Sequence, residues 1–352
     1  MKVGIIGAGA IVRRGHLPAW KRIQPVEVST IADVNETLAR NVAHEFNIPR
    51  YSKDYHELFD DPSIEIVDIA TPTPSHSEIV LKAIKKKKHI LVEKPLAFSL
   101  KEAKEIHQAL KGKNLKLNIV QNYRYYRSVA KVKERLESGR LGKIVSMNGL
   151  ALAHFPVSWT RSNWLYHQGG VLYDFAPHLV DLVLWLHNSQ PKNVTAFGGD
   201  FTKKNMEFIT HAQILIEFED SSTATMDVSW LTGTNLLRLN VHGTGGHVFL
   251  DVKDDIFLEI HGTATPLHNI RRFIREIKSV VRGLITGNFF KGPVGYYHLL
   301  LTDFIKCITD DLPPPTPVEQ GLMVNAVIEA AQKSIETKKA IEIQSILSDS
   351  YV

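Results

Sequence analysis

Lys2-Val3-Gly4-Ile5-Ile6-Gly7-Ala8-Gly9-Ala10-Ile11-Val12 reads as a buried strand that runs into a glycine turn and then a helix. Gly7 permits the tight turn. Gly9 lets the backbone approach a pyrophosphate held at a helix N-terminus, and Ala10 and Ile11 complete the cofactor-facing turn. The third position, where glycine commonly allows close helix–strand packing, is Val12. The next strand, at 26–32, ends on Asp33, whose carboxylate is placed to hydrogen-bond both adenine-ribose hydroxyls and to repel a 2′-phosphate. Neither Val34 nor Asn35 offers that phosphate a cation, so NAD is expected over NADP.

Outward from this stretch, apolar runs at 66–70, 89–92 and 115–120 alternate with helical patterns at 38–46, 76–86 and 101–110. That alternation predicts βαβ units in a doubly wound parallel sheet. Ser99-Leu100-Lys101-Glu102 is a capping box for the last of these helices. Two strand ends point to the crevice at the carboxyl edge of the sheet, where open α/β sheets bind ligands. One is Thr71-Pro72-Thr73-Pro74-Ser75-His76, which supplies the cofactor candidates Thr71, Pro72, Thr73 and His76; the other is Glu93-Lys94-Pro95. Glu93 and Lys94 join the cofactor candidates, and Lys94 is suited to donate to a substrate oxygen. The run Lys85–Lys88 reads as a solvated helix end.

After position 122 the pattern changes to longer, alternating strands at 144–153, 193–198, 211–219, 223–230, 236–243 and 247–252. Asp220-Ser221-Ser222 and Gly243-Thr244-Gly245-Gly246 are hairpin turn candidates. The expected fold is therefore α/β plus α+β: a parallel-sheet domain over 1–122, then an α+β domain over 123–352 on a large, mostly antiparallel open sheet. A C-terminal helix is expected over 318–337. A basic amphipathic helix is expected over 267–291, able to lie on an anionic membrane surface, dock a partner or pack on the protein's own sheet. In Gly169-Gly170-Val171-Leu172-Tyr173-Asp174-Phe175-Ala176-Pro177-His178-Leu179-Val180-Asp181, Asp174 and His178 are four apart and fall on one helical face. A carboxylate and an imidazole aimed at one spot are the parts of a proton-transfer site. Asp181, nearly one turn on, reads as structural. Tyr123 and Arg124 follow the last strand of the first domain. Trp159, Trp164, Tyr166 and His167 either stack on a ring or pack the domain junction.

Composition limits the alternatives. Across 352 residues, hydrophobic content of 44% and charged content of 22% suit a soluble globular protein. A formal charge of +5 without a dense basic stripe argues against nucleic acid. Cys307 is the single cysteine, and His76, His154, His167 and His178 are scattered, so no metal site is expected. The first strand starts at once and no apolar run reaches spanning length, which makes the expected location cytoplasmic.

The ordered series Gly7-Ala8-Gly9, Thr71 to His76, Glu93-Lys94-Pro95, Asn122-Tyr123-Arg124 and the Gly169-to-Asp181 block resembles the Gfo/Idh/MocA family, over essentially the whole chain. The resemblance implies a Rossmann domain with a nicotinamide cofactor, a sugar, sugar-nucleotide or cyclitol substrate, and a homodimer or homotetramer through the C-terminal sheet. It implies catalytic roles for Lys94, Asp174 and His178, a substrate pocket that includes Tyr123, Arg124, Trp164 and Gln168, and a cis Lys94–Pro95 peptide. Gln168 stands where the family often has a glycine, and Ala176 stands between the Asp and the His. The expected activity is hydride transfer between nicotinamide and a secondary alcohol or ketone. NAD-dependent glycoside elimination–hydrolysis without net redox change and a non-catalytic nucleotide-sensing or scaffold protein are the alternatives.

Overall fold

The computed structural model describes residues 1–155, 170–202, 208–261 and 292–348, together with 274, 277 and 278. Its chain forms two compact units: Met1–Asn122 with Gly292–Asn325, and Tyr123–Lys291 with Ala326–Val352.

The first unit is built on β1 (Lys2–Ile6), β2 (Glu27–Ala32), β3 (Arg50–Ser52), β4 (Ile64–Ile69), β5 (His89–Glu93) and β6 (Leu117–Val120). They form one parallel sheet in the order β3-β2-β1-β4-β5-β6. Both faces are covered, so the strands carry near-continuous apolar runs: Val3, Ile5, Ile31, Ile66, Val67, Ile90 and Leu91 are fully buried. Asp68 breaks that rule, an acid buried inside β4. The order reverses at β1, where Ile6 pairs with both Ala32 and Ile69, so the chain leaves β1, β2 and β4 side by side. That divergence makes the crevice.

Local chemistry sets the helix ends. The helix expected from 38 begins at Glu36 because the Asn35 side chain accepts from Leu38 N at 3.1 Å. The Ser99 capping box forms in both directions at the start of Leu100–Leu110. In the basic run, Lys85, Lys86 and Lys87 are solvated, but Lys88 is not. Its ammonium is buried and donates at 2.7 Å to the carbonyls of Asp61 and Ile64, satisfying backbone that would otherwise be orphaned.

A single boundary at 122/123 does not describe this unit, because Gly292–Asn325 belongs to it. This segment supplies the helix Gly292–Thr309 and the first turns of the helix Val318–Thr337. It covers the β6 edge: Ile119 N donates to Thr316 O at 3.1 Å, and Thr316 N donates to the Asn118 side chain at 2.8 Å. Asn325 donates to Ala97 O at 2.7 Å. An exposed strand edge has unpaired donors and acceptors, and this segment supplies their partners.

The second unit carries β7 (Ile144–His154), β8 (Pro191–Gly199), β9 (His211–Phe218), β10 (Thr223–Ser229), β11 (Leu231–Gly243), β12 (His247–Asp251), β13 (Ile256–Ile260) and β14 (Ile341–Glu342). The sheet order is β13-β12-β11-β7-β10-β9-β8-β14, antiparallel except for the parallel β7–β10 pair. Both expected hairpin turns are present, joining β9 to β10 and β11 to β12. Helices cover one face. A Cβ on Gly149 of β7 would stand 2.7 Å from Leu179, so the helix Ala176–Leu186 packs hard on that strand. The opposite face presents Leu150, Phe197 and Leu215 to solvent. The basic amphipathic stretch expected over 267–291 lies outside the described residues except for Ile274, Ile277 and Lys278, which are helical and exposed.

Candidate active site

In the first unit the glycine turn is shaped by its neighbours. Gly7 has φ +104°, and a Cβ there would stand 2.4 Å from Ala70 O, so only glycine fits. At Gly9 an added Cβ would meet nothing within 4 Å, leaving backbone open to an approaching group. Ala10 and Ile11 are exposed beside it, and Val12, at the third-glycine position, is fully buried. The Asp33 carboxylate is fixed by two backbone donors, Ala8 N and Asn35 N, each at 2.8 Å. It is thus pinned against the glycine turn, with acceptor capacity left on each oxygen. An open backbone cradle beside a fixed carboxylate fits the pyrophosphate and ribose of a dinucleotide.

The loop after β4 continues the crevice. Thr71 is half-buried, Pro72 exposed and Thr73 buried, and Ser75 Oγ lies 2.8 Å from both Thr71 Oγ1 and Pro72 O. His76, read from sequence as a cofactor contact, is fully buried with both ring nitrogens engaged. Nδ1 lies 2.9 Å from Pro95 O and Nε2 lies 2.9 Å from Thr71 O. It ties the loop after β4 to the loop after β5. Burial pushes its pKa down, against the pull of the two carbonyls.

Glu93 likewise turns inward. Its Oε1 accepts from His16 Nε2 at 3.0 Å and from the Tyr297 hydroxyl at 3.1 Å, while Oε2 accepts from Lys94 N at 3.1 Å. His16 Nδ1 faces Asp68 at 2.8 Å, and Trp20 Nε1 donates to the same carboxylate at 2.7 Å. Burial opposes a charge on His16, yet the two carboxylates outweigh it and raise its pKa to about 10. Glu93 is held below the usual carboxylate range: burial works against this, and the hydrogen bond and charge of His16 prevail. Lys94 is half-buried at the end of this chain of contacts, and the Lys94–Pro95 peptide is cis, as expected. His16, Asp68 and Tyr297 were absent from the sequence-derived site. The one local signal was an acid within the apolar run Ile66-Val67-Asp68-Ile69.

In the second unit the stretch expected to hold Asp174 and His178 on one helix is two helices, Gly170–Asp174 and Ala176–Leu186. Pro177 explains the break: it lacks an N–H, and its ring would collide with the carbonyl of Tyr173 in a continuous helix. Both side chains nevertheless flank one residue. The His178 ring meets Tyr123 edge-on at 4.6 Å between centroids, and the Tyr123 hydroxyl is pushed up to about 12 by burial and by the nearby Asp174 carboxylate. Phe175 packs edge-on against His178 on another side, at 6.3 Å.

Arg124, read as a substrate contact, is engaged by a carboxylate within its own unit. It is buried, donates to both oxygens of Asp181 at 2.8 and 2.5 Å, and lies 5.0 Å from the centre of the Trp185 ring. Burial pushes the Asp181 carboxyl up, and the guanidinium pulls it back. Trp159, Trp164, Tyr166, His167 and Gln168 lie outside the described residues. Among the described residues no cluster of His, Cys, Asp and Glu is arranged to hold a metal ion, and no helix is long and apolar enough to cross a membrane.

Residues 1–121 match the family described as GFO_IDH_MocA, "Oxidoreductase family, NAD-binding Rossmann fold", and residues 129–249 match the GFO/IDH/MocA C-terminal domain. Myo-inositol 2-dehydrogenase of Thermotoga maritima is 26% identical over 99% of this chain and 100% of its own. Levoglucosan dehydrogenase of Pseudarthrobacter phenanthrenivorans is 34% identical over 70% of this chain and 73% of its own. A structure of levoglucosan dehydrogenase in complex with NADH and levoglucosan superimposes with a TM-score of 0.84 at 23% identity, covering 97% of this chain and 99% of that one.

Proposed function

The chain belongs to the Gfo/Idh/MocA oxidoreductase family, and we propose that it is an NAD-dependent dehydrogenase acting on a secondary alcohol of a sugar, sugar nucleotide or cyclitol. The observation that carries the cofactor assignment is the Asp33 carboxylate pinned beside the open backbone at Gly9. Gly7, Gly9, Ala10 and Ile11 would hold the pyrophosphate and Asp33 the adenine ribose, with Thr71, Pro72 and Thr73 bordering the same crevice. When bound, nicotinamide supplies the hydride acceptor or donor. The substrate class is supported by the named relatives, which act on inositol and levoglucosan.

In the oxidative direction, His178 takes the hydroxyl proton, Asp174 steadies the resulting imidazolium and orients the substrate, and Lys94 hydrogen-bonds the reacting oxygen. A histidine suits this because its ordinary pKa lies near working pH. The Tyr123 and Phe175 rings limit the freedom of the imidazole, which supports placing the proton acceptor there. Tyr123 lies beside both Asp174 and His178, and its neutral hydroxyl is a candidate donor to substrate. The enzyme is further proposed to work in the cytoplasm as a homodimer or homotetramer. The support for assembly is the outward apolar set Leu150, Phe197 and Leu215 on the open sheet.

The test is a panel of sugars, sugar nucleotides and inositols offered with NAD, read as accumulated NADH. A polyol that drives NADH formation in wild type, and not in His178→Ala at unchanged NAD affinity, supports the reading. Glycoside cleavage without NADH accumulation would replace it with elimination–hydrolysis. NAD binding with no turnover of any kind would leave a nucleotide sensor.

A further inference from the structure

We propose that His16 is a positioning residue for Lys94: it clamps the Glu93 carboxylate from beneath, and Glu93 in turn fixes the backbone amide of Lys94. The inference rests on the dehydrogenase reading only for the part Lys94 plays in turnover. The clamp itself stands on the contacts within the first unit.

The geometry is specific. His16 lies in a widened, π-type turn at Val12–His16, directly after the glycine turn, and its ring is fully buried. Each nitrogen faces a carboxylate: Nδ1 toward Asp68 at 2.8 Å and Nε2 toward Glu93 at 3.0 Å. Carboxylates only accept, so both nitrogens must carry protons and the ring is an imidazolium. Its charge persists well above neutrality, the pKa being pushed up to about 10. The carboxylates have few competing demands. Asp68 also takes Trp20 Nε1, and Glu93 also takes the Tyr297 hydroxyl, whose ring packs 4.9 Å from the His16 ring. A Cβ on Gly15 would stand 2.8 Å from the Tyr297 ring, so glycine is needed for this approach.

The charge count gives the cluster a direction. Asp68 and Glu93 supply two negative charges and His16 one positive, leaving one negative charge buried at the root of the β5 loop. The neighbouring cation is Lys94, whose charge helps hold Glu93 ionised and whose amide donates to it. Without His16, Glu93 Oε1 loses one of its two donors and keeps only the Tyr297 hydroxyl. Glu93 would then be free to swing, and the acceptor that holds the Lys94 amide would no longer be fixed. A residue that sets the position of a proposed oxygen-binding lysine affects turnover more than cofactor affinity.

The first measurement is a histidine-selective NMR titration of the wild-type protein without cofactor. His16 should keep both ring N–H groups through pH 8.5; a neutral His16 at that pH overturns the proposal. The second compares wild type, His16→Gln and Glu93→Gln by NAD titration and by steady-state kinetics. The expected result is a kcat lower by about 10- to 100-fold, with NAD affinity within about twofold. Unchanged kcat in both variants, or equal losses of kcat and NAD affinity, overturns it. If wild type turns over no polyol, the dehydrogenase reading fails instead. The histidine titration, with the Lys94 backbone amide resonance compared in wild type and His16→Gln, then decides the clamp. A Lys94 amide resonance identical in the two proteins overturns it.

Discussion

Two buried ionic clusters, one in each unit, look alike by composition and differ in what they leave over. Arg124 and Asp181 form a closed bidentate pair, one charge against one, capped by the Trp185 ring. His16 with Asp68 and Glu93 is unbalanced, two carboxylates against one imidazolium, and its surplus is presented to a lysine at the crevice edge. The balanced pair orders the start of the second unit and holds its helix Ala176–Leu186. The unbalanced one holds the backbone of Lys94, the residue proposed above to bind the reacting oxygen. A buried pair of matched charges serves packing, whereas a residual buried charge beside a lysine in a crevice is the pattern of a functional site.

The comparison breaks most visibly at Asp181. Asp181→Leu leaves a buried guanidinium without its partner and should cost about 3–5 kcal/mol of stability. Arg124→Leu combined with Asp181→Leu should cost less than either change alone. Denaturant unfolding of the three variants measures this, and strict additivity would show that the pair is not a unit. The next effect is one of pH. Because the folded His16 pKa lies near 10 and the unfolded one near 6.5, its contribution is complete below about 6.5 and is lost as pH rises through about 10. The stability gap between wild type and His16→Gln should therefore narrow between pH 7 and 10; a constant gap would mean that His16 is neutral in the fold. On the acid side, Glu93 is held below its ordinary range, so its contribution is present at neutral pH and fades as pH falls through its folded value. The smallest effect is Tyr297→Phe, which removes one hydrogen bond to Glu93 and should cost about 1 kcal/mol. A loss as large as that of Asp181→Leu would mean that Tyr297, rather than His16, anchors the cluster.

These two clusters also mark where sequence reading stops. Gly7, Gly9 and Asp33 were readable because a turn and a strand end are local events with local residue requirements. The Lys94–Pro95 geometry and the capping box at Ser99 were readable for similar reasons. Asp68 and Glu93 lie 52 and 77 positions from His16, and Tyr297 lies 204 positions beyond Glu93; nothing in Arg13-Arg14-Gly15-His16 announces them. Arg124 followed the final strand of the first unit and so suggested a ligand contact. Its carboxylate partner stands 57 residues on, inside a helix read only as an extension of the Asp174–His178 block. Lys88 failed in the opposite sense, since a run of four lysines reads as solvent-facing until a neighbouring loop requires one of them. Pro177 suits a helix's first turn and stands there in Ala176–Leu186, but the same residue leaves Asp174 on the helix before it.

The strip of chain that seals β6 has a consequence for the order of synthesis. Six parallel strands are complete by Val120, but the backbone partner of Ile119 is Thr316, and the Ala97 carbonyl waits for Asn325. A ribosome therefore releases the parallel sheet with one flank unfinished and must translate seven of the eight strands of the second sheet before the missing strip emerges. During that interval the β6 edge is open to pairing with other chains. The domain that is made first is among the last to be finished.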